Sequence, residues 1–301
     1  MNKRIDHPAA SVVVPTFNRA DDLRRCLDSL VAQTRTDFEV LVCDDGSTDD
    51  TSEVVEPYRQ LLDLTYSTDA NFGGPARPRN RGIKMARAPY IAFLDSDDWW
   101  APAKLERSLA ALDAGADVVY HDLWNVTSKS QTTFRERVRS APPALPLYAN
   151  MLCSGLSMPN SSVVVRAPLL HEIGGVCEDK ALIAVEDFDT WLRVAQLTEK
   201  FVRLPECLGF YWNAGGNISA ASERQIRRTE AVYRLHLGNL SDGDRRRAEG
   251  FLAYRLGRMA QLSGDWGVAT EKLYEACRGD VAWRYKFKAL WLLSFHRWFS
   301  V

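Results

Sequence analysis

Three polar runs, each directly behind an apolar one, hold most of the side chains in this sequence that could do chemistry. Pro15-Thr16-Phe17-Asn18-Arg19 follows SVVV at 11–14, Asp44-Asp45-Gly46-Ser47-Thr48-Asp49 follows FEVLVC at 38–43, and Asp95-Ser96-Asp97-Asp98 follows YIAFL at 90–94. If these runs share one edge of a sheet, their carboxylates repel, and a divalent cation carrying a phosphate ligand relieves the repulsion. A plainer reading of DDGSTD stands beside this one: a turn, with Thr48 or Asp49 capping the next helix. A further acidic pair, Glu186-Asp187, opens a helical pattern with Phe188, Trp191, Leu192 and Ala195 on one face. Carboxylates there complement the helix dipole whatever else they do.

The apolar runs are the elements that must position these groups. With DVVY at 117–120 they are short and nearly continuous, as suits strands buried on both faces. Between the first two, Leu23, Leu27 and Leu30 keep helical spacing, with Asp21 and Asp22 at the helix N-terminal end. Strands alternating with helices predict an α/β fold with a Rossmann-like, mostly parallel central sheet flanked by helices. In such a sheet ligands bind beyond the carboxyl ends of the strands, where the three polar runs fall.

The succession PTFNR, DDGSTD, Asn71-Phe72-Gly73-Gly74 leading into Ala76-Arg77-Pro78-Arg79-Asn80-Arg81-Gly82, FLDSDD with Trp99, and Glu186-Asp187 closely resembles glycosyltransferase family 2. The resemblance runs in family order over residues 10–220. It implies the GT-A fold and sugar transfer, usually with inversion, from a nucleotide-sugar donor, a UDP-sugar being favoured here. It implies that Pro15, Thr16, Phe17 and Asn18 border the nucleoside and that Asp45 accepts a hydrogen bond from the base, a role suited to an acceptor-only carboxylate. Arg79 matches the family's Arg that faces pyrophosphate or base, as a guanidinium can by bidentate contact or stacking. Gly73 and Gly74 let the backbone approach the donor or simply make a turn. Pro78 departs from the family pattern and is expected to hold Arg77 extended.

Asp95-Ser96-Asp97 matches the family's DxD element, which assigns Ser96 to the donor site. Asp97 is the expected direct ligand of Mg²⁺ or Mn²⁺, and Asp95 contacts ribose, the metal or its bound water. Asp98, Trp99 and Trp100 are read as a cap on the sugar pocket, the two tryptophans equally as packing anchors. Inverting transfer needs a base on the acceptor side. By resemblance this is Asp187, with Glu186 orienting it or the acceptor and Asp189 the natural misassignment. In the stretch from Gly209 to Ser219, Trp212 stands where the family often has Arg and there is no His, leaving Asn213, Asn217 or Ser219 as weak substitutes. His121 is read as a packing or capping residue before a ligand.

The formal charge of −1 hides an asymmetry: residues 223–301 carry 15 Lys and Arg against 9 Asp and Glu, leaving 23 against 30 for residues 1–222. The sequence therefore predicts a catalytic domain over 1–222 and a basic all-helical extension over 223–301, with breaks at 238–243, 264–265 and 279–280. An acidic front argues against nucleic acid as partner. Six scattered cysteines without a CxxC pair and no apolar run of about 18 residues point to a cytoplasmic chain, at or away from the inner face of a membrane. In the last helix Trp283, Phe287, Leu290, Trp291 and Trp298 keep helical spacing among Arg284, Lys286, Lys288 and Arg297. The segment 280–301 thus suits peripheral membrane contact, packing on the catalytic domain, or a homodimer contact. The expected acceptor is a hydroxyl of a glycan or lipid-linked acceptor in surface polysaccharide synthesis. Transfer to a lipid phosphate and a non-catalytic sugar-nucleotide-binding scaffold are the alternatives. A nucleotidylyltransferase is disfavoured, since PTFNRADDL lacks its Gly-rich signature. So is a processive synthase, whose QxxRW element is missing.

Overall fold

A computed structural model of the chain describes residues 3–156, 158–213 and 221–299, with side chains through Ser294. In chain order the elements begin β1 (Ala10–Thr16), α1 (Ala20–Val31), β2 (Phe38–Asp44), α2 (Thr51–Val55), β3 (Asp63–Thr68), α3 (Ala76–Met85), β4 (Tyr90–Phe93), β5 (Trp99–Trp100), α4 (Lys104–Asp113), β6 (Val118–Val126) and β7 (Arg137–Val138). They continue α5 (Leu147–Ser154), β8 (Val164–Arg166), α6 (Ala167–Glu172), α7 (Glu186–Ala195), β9 (Phe201–Trp212), α8 (Glu223–His236), α9 (Asp242–Leu262), α10 (Trp266–Arg278) and α11 (Trp283–Phe299). No helix among the described residues is long and apolar enough to cross a membrane.

The chain divides into two compact units, Met1–Pro143 with Ser157–Glu178 and Leu197–Gly215, and Ala144–Leu156 with Asp179–Gln196 and Gly216–Val301. This differs from a single boundary at residue 222, because α5 and α7 are tied to the C-terminal helices. The Tyr233 hydroxyl donates to the Leu152 carbonyl, and the Phe251 ring lies against Gly155 so closely that a Cβ there would meet it at 2.6 Å. His236 of α8 bonds Asp189 of α7.

The first unit holds the sheet, ordered β3-β2-β1-β4-β8-β6-β9-β5 with β7 on β6. The four apolar runs are β1, β2, β4 and β6. β3, β2, β1 and β4 are parallel, as are β6 and β9. β6 does not lie beside β4, however. The short buried run Val163–Val165 leads into β8, which enters antiparallel between them, pairing Ala92 with Val164 and Val118 with Val165. The residues just before β8 therefore lie beside those just after β4.

One sheet face, carrying Val12, Val14, Val40, Val42, Ala92 and Leu94, packs with Leu23, Leu27 and Leu30 of α1 and Leu105, Leu109 and Leu112 of α4. Each of these buried leucines contributes about 1.5–3 kcal/mol of transfer free energy. On the other face α3 approaches β1 so closely at Gly82 that a Cβ would sit 2.5 Å from Val13 Cγ1. Pro78 lies in the first turn of α3, and Arg77 is helical rather than extended. The first turn's N–H groups have no intrahelical acceptor, so proline is tolerated there.

In the second unit α8 to α11 break where the sequence predicts. Ser222, Ser241 and Asp265 cap α8, α9 and α10 by accepting from the N–H groups of Gln225, Asp244 and Val268. Gly264 turns the α9–α10 hairpin at φ +86.

Gly82→Ala would gain about 1 kcal/mol from helix propensity in open space. Against Val13 the clash dominates, and the substitution is expected to destabilise the chain by about 1–3 kcal/mol, read as a lower urea midpoint. An unchanged or raised midpoint would contradict the α3–β1 packing.

Candidate active site

Where β4 ends, three carboxylates occur within four residues and the chain sorts them. Asp98 is 1% exposed; its Oδ2 accepts from the Ser161 hydroxyl at 2.5 Å and its Oδ1 from the Trp212 N–H at 2.9 Å. Burial, with Asp97 and Asp95 nearby, pushes its carboxyl well above the usual range despite those bonds. Ser161 Oγ also accepts from the Asp95 N–H, and its carbonyl accepts from Trp100 Nε1. Ser161 lies beside the end of β4 because β8 runs antiparallel to that strand.

Asp95 and Asp97 keep partly exposed side chains, 31% and 22%. Asp95 Oδ1 pairs with Arg79 Nη2 at 2.7 Å, while Arg79 itself is buried on α3. Asp97 Oδ2 lies 3.1 Å from Arg19 Nη1. Burial first, and then the Asp95 charge, push the Asp97 carboxyl up to about 6, with Arg19 opposing. Arg25 Nη2 donates to the Asp97 carbonyl at 2.7 Å, and its guanidinium lies over the rings of Trp99 and Trp212, 4.1 and 4.7 Å from their centroids. Asp22 bonds both Arg19 and Arg25. Trp99 stacks on Phe210 and Trp100 is buried, so both are packing anchors. Asp98 is an internal strut rather than a cap on a pocket.

The loops after β1 and β2 are stitched together. Asn18, at φ +50, donates its N–H to Ser47 Oγ, and its Oδ1 accepts from the Thr48 N–H, both at 2.8 Å. Asp49 accepts from the N–H groups of Ala20 and Thr51 at the starts of α1 and α2. Pro15 and Thr16 are buried, whereas Phe17 and Asn18 are exposed. The Asp45 carboxylate accepts from the N–H groups of Phe72 and Gly73, 3.0 Å each, so it fixes the loop before α3; each oxygen retains a second acceptor direction. Gly46, at φ +81, admits Asn71 N and Asp69 O within 2.9 Å of where a Cβ would be. Gly73 is at φ +92, a turn requirement in its own right. Ser96 is buried between the two outward-facing carboxylates. Among the described residues no three His, Cys, Asp or Glu side chains gather to hold a metal ion.

In the second unit α7 begins at Glu186, behind Ala184 at φ +64, a backbone conformation uncommon for a residue with a Cβ. Gln225 of α8 donates to the Ala184 carbonyl at 3.0 Å and holds that turn. Glu186 is buried, and Asp187 is half-buried with its Oδ1 accepting from the Phe188 N–H. Asp189 is buried against Arg193 at 2.8 Å and His236 at 2.9 Å. Burial works to raise its pKa, but the hydrogen bond from His236 and the charge and bond of Arg193 outweigh it and hold the carboxyl below the usual range. His121 is wholly buried, with Nδ1 2.8 Å from the Asp122 carbonyl. Burial and neighbouring Lys104 lower it to about 3, so it packs as neutral imidazole. The Asn213 N–H bonds the Val126 carbonyl; Asn217 and Ser219 lie outside the described residues.

Ser161, Arg25 and Gln225 are the positioning residues that sequence reasoning missed. Their only trace is compositional: a polar Pro159-Asn160-Ser161-Ser162 run before an apolar one, and for Arg25 and Gln225 polar positions on predicted helices.

A sheet of this order with a DxD element at the end of β4 is the architecture of a nucleotide-sugar-dependent transferase. The model of glycosyl transferase family 2 matches residues 11–163, and the chain belongs to that family. It is 39% identical over 132 residues to the poly(ribitol-phosphate) beta-N-acetylglucosaminyltransferase TarS of Staphylococcus aureus, a match spanning 42% of this chain and 23% of that protein. Residues 1–349 of S. aureus TarS in complex with UDP align at TM-score 0.64 and 26% identity, covering 84% of this chain and 72% of that one. A mannosyltransferase from Pyrobaculum calidifontis, solved with GDP-Man and Mn²⁺, shares the fold at TM-score 0.57 and 19% identity, covering 98% of this chain and 83% of that one.

Because its folded pKa is depressed, Asp189 contributes stability that is present above its unfolded pKa of about 4 and is lost as pH falls through the folded value. Asp189→Asn should therefore cost about 3–5 kcal/mol at pH 7, with the gap to the parent narrowing below about pH 4 in urea titrations. A pH-independent gap would remove the ion pair as its cause.

Proposed function

We propose that the chain is an inverting glycosyltransferase that moves one sugar from a UDP-sugar to a hydroxyl of a glycan or lipid-linked acceptor in surface polysaccharide synthesis. The observation that carries the reading is the sorting of carboxylates at β4. Asp98 is consumed inside the protein, while Asp95 and Asp97 stay accessible beside Arg79 and Arg19. The UDP complex of TarS supports a UDP donor, and the poly(ribitol-phosphate) named for that relative supports a polymeric glycan acceptor.

In this reading Phe17 and Asn18 border the nucleoside, Asp45 and Ser96 line the donor site, and Gly73 lets the loop backbone close on it. Arg79, paired with Asp95, faces the pyrophosphate, as a guanidinium can. A hard divalent cation, Mg²⁺ or Mn²⁺, fits the pair Asp97 and Asp95, because both are partly exposed oxygen donors on one turn at the end of β4. Two carboxylates are also the number such an ion uses when substrate phosphates complete its shell. When bound, the ion neutralises charge on the departing nucleoside diphosphate. Asp187 takes the proton of the attacking hydroxyl, and Glu186 at the same helix start orients it.

Asp187→Asn is expected to lower transfer at least about 100-fold while leaving UDP binding by calorimetry within error; retained turnover would remove Asp187 as base. Asp97→Ala should abolish the extra rise in melting temperature that Mn²⁺ adds to UDP. An undiminished rise would sink the metal assignment. A panel of UDP-, GDP- and dTDP-sugars in the same melting assay tests the donor, with UDP-sugars expected to give the largest shift.

A further inference from the structure

The last described helix carries apolar side chains on two faces, one buried and one exposed. Tyr285, Ala289, Leu292 and Leu293 of α11 turn inward. Ala289, Leu292 and Leu293 pack with Ala253, Leu273 and Ala276, and the Tyr285 hydroxyl donates to the Ser154 carbonyl. The opposite face carries Trp283, Phe287, Leu290 and Trp291 at 80%, 68%, 52% and 55% exposure. At 100° per residue these four fall within about 100° of arc over a length of about 12 Å. They form one contiguous stripe on a helix whose other side is already anchored. Large apolar side chains exposed together mark an interaction surface rather than chance.

Charge identifies what the stripe meets. By the same helical geometry Arg284 and Lys288 border it on one side and Lys286 on the other, and 283–299 contains no Asp or Glu. None of these three cations has an ion pair with an acidic side chain among the described residues; Arg284 and Lys288 lie over the Tyr285 ring, and Arg284 donates to its hydroxyl. A second copy docked across a two-fold axis would set these cations against their own kind, at a Coulombic cost. An anionic bilayer surface instead pairs them with lipid phosphates, while the tryptophans settle at headgroup depth and the long cationic stems reach outward from the apolar layer.

We propose that the Trp283–Trp291 face of α11 docks the chain onto an anionic phospholipid surface, lying in the headgroup plane without crossing it. Trp298 and Arg297 extend the same pattern in the sequence, but their side chains lie outside the described residues. The proposal goes beyond the transfer reaction and needs no assumption about it.

The test is co-sedimentation of the full chain with vesicles of phosphatidylcholine alone or mixed with phosphatidylglycerol, alongside light scattering without vesicles. The parent should pellet with the anionic vesicles, remain largely in the supernatant with neutral ones, and be released by salt. Trp283→Ser/Phe287→Ser/Trp291→Ser and, separately, Arg284→Glu/Lys288→Glu should each weaken binding at least about tenfold. All these side chains are exposed, so circular dichroism and melting temperature should be unchanged. A parent that ignores anionic vesicles, or variants that still bind them like the parent, would overturn the proposal. A parent dimer in solution that the triple variant dissociates would assign the face to a second copy instead.

Discussion

A carboxylate withdrawn from water is costly unless it is neutralised or fully hydrogen-bonded, and the site-bearing half of the sheet is built around meeting that cost for Asp98. Its two oxygens are held by the Ser161 hydroxyl and the Trp212 N–H, groups contributed by the entry to β8 and the end of β9. Those partners are in reach because β8 runs antiparallel beside β4 and because the antiparallel pairing of β5 with β9 brings Trp99 opposite Phe210. With Asp98 fixed, the chain at 95–97 has little freedom. Asp95 meets Arg79, Asp97 meets Arg19, and Arg25 braces the turn from below by bonding the Asp97 carbonyl. The outward pair is thus preorganised, with the Asp97 carboxyl raised first by burial and then by the Asp95 charge.

Much of this was legible in the sequence. The parallel strands β1, β2 and β4 announce themselves as continuous apolar runs, since strands buried on both faces have no polar side to show. The polar residues behind them begin where those buried strands end. What could not be read was β8. Three valines in a row are too short to distinguish from any buried segment, so neither the antiparallel insertion nor the role of Ser161 was predictable. Pro78 misled locally, because the rule disfavouring helix before proline assumes a helix interior, and α3 has only just begun there. Asp187 and Asp189 differ by two positions and by nothing in composition. Only the structure separates them, by burying Asp189 between Arg193 and His236 and leaving Asp187 half-buried.

The charge asymmetry across residue 222 also acquires a physical meaning. The acidic excess of the front includes the carboxylates that sort themselves at the strand ends. The basic excess of the tail includes a helix with cations on both borders of an exposed aromatic stripe. The compact units do not follow that boundary, because α5 and α7 bury their inner faces on α8 and α9. The helix that begins with Glu186-Asp187 therefore belongs to the helical unit, and the carboxylates of the DxD element to the sheet.

The division of labour among Asp95, Asp97 and Asp98 is tested most directly by a crystal structure of the chain grown with UDP and Mn²⁺. The ion should be bound by Asp97, with or without Asp95, and by the diphosphate, while Asp98 keeps its bonds to Ser161 and Trp212. An ion held by Asp98, or a nucleotide bound away from the end of β4, would contradict the account.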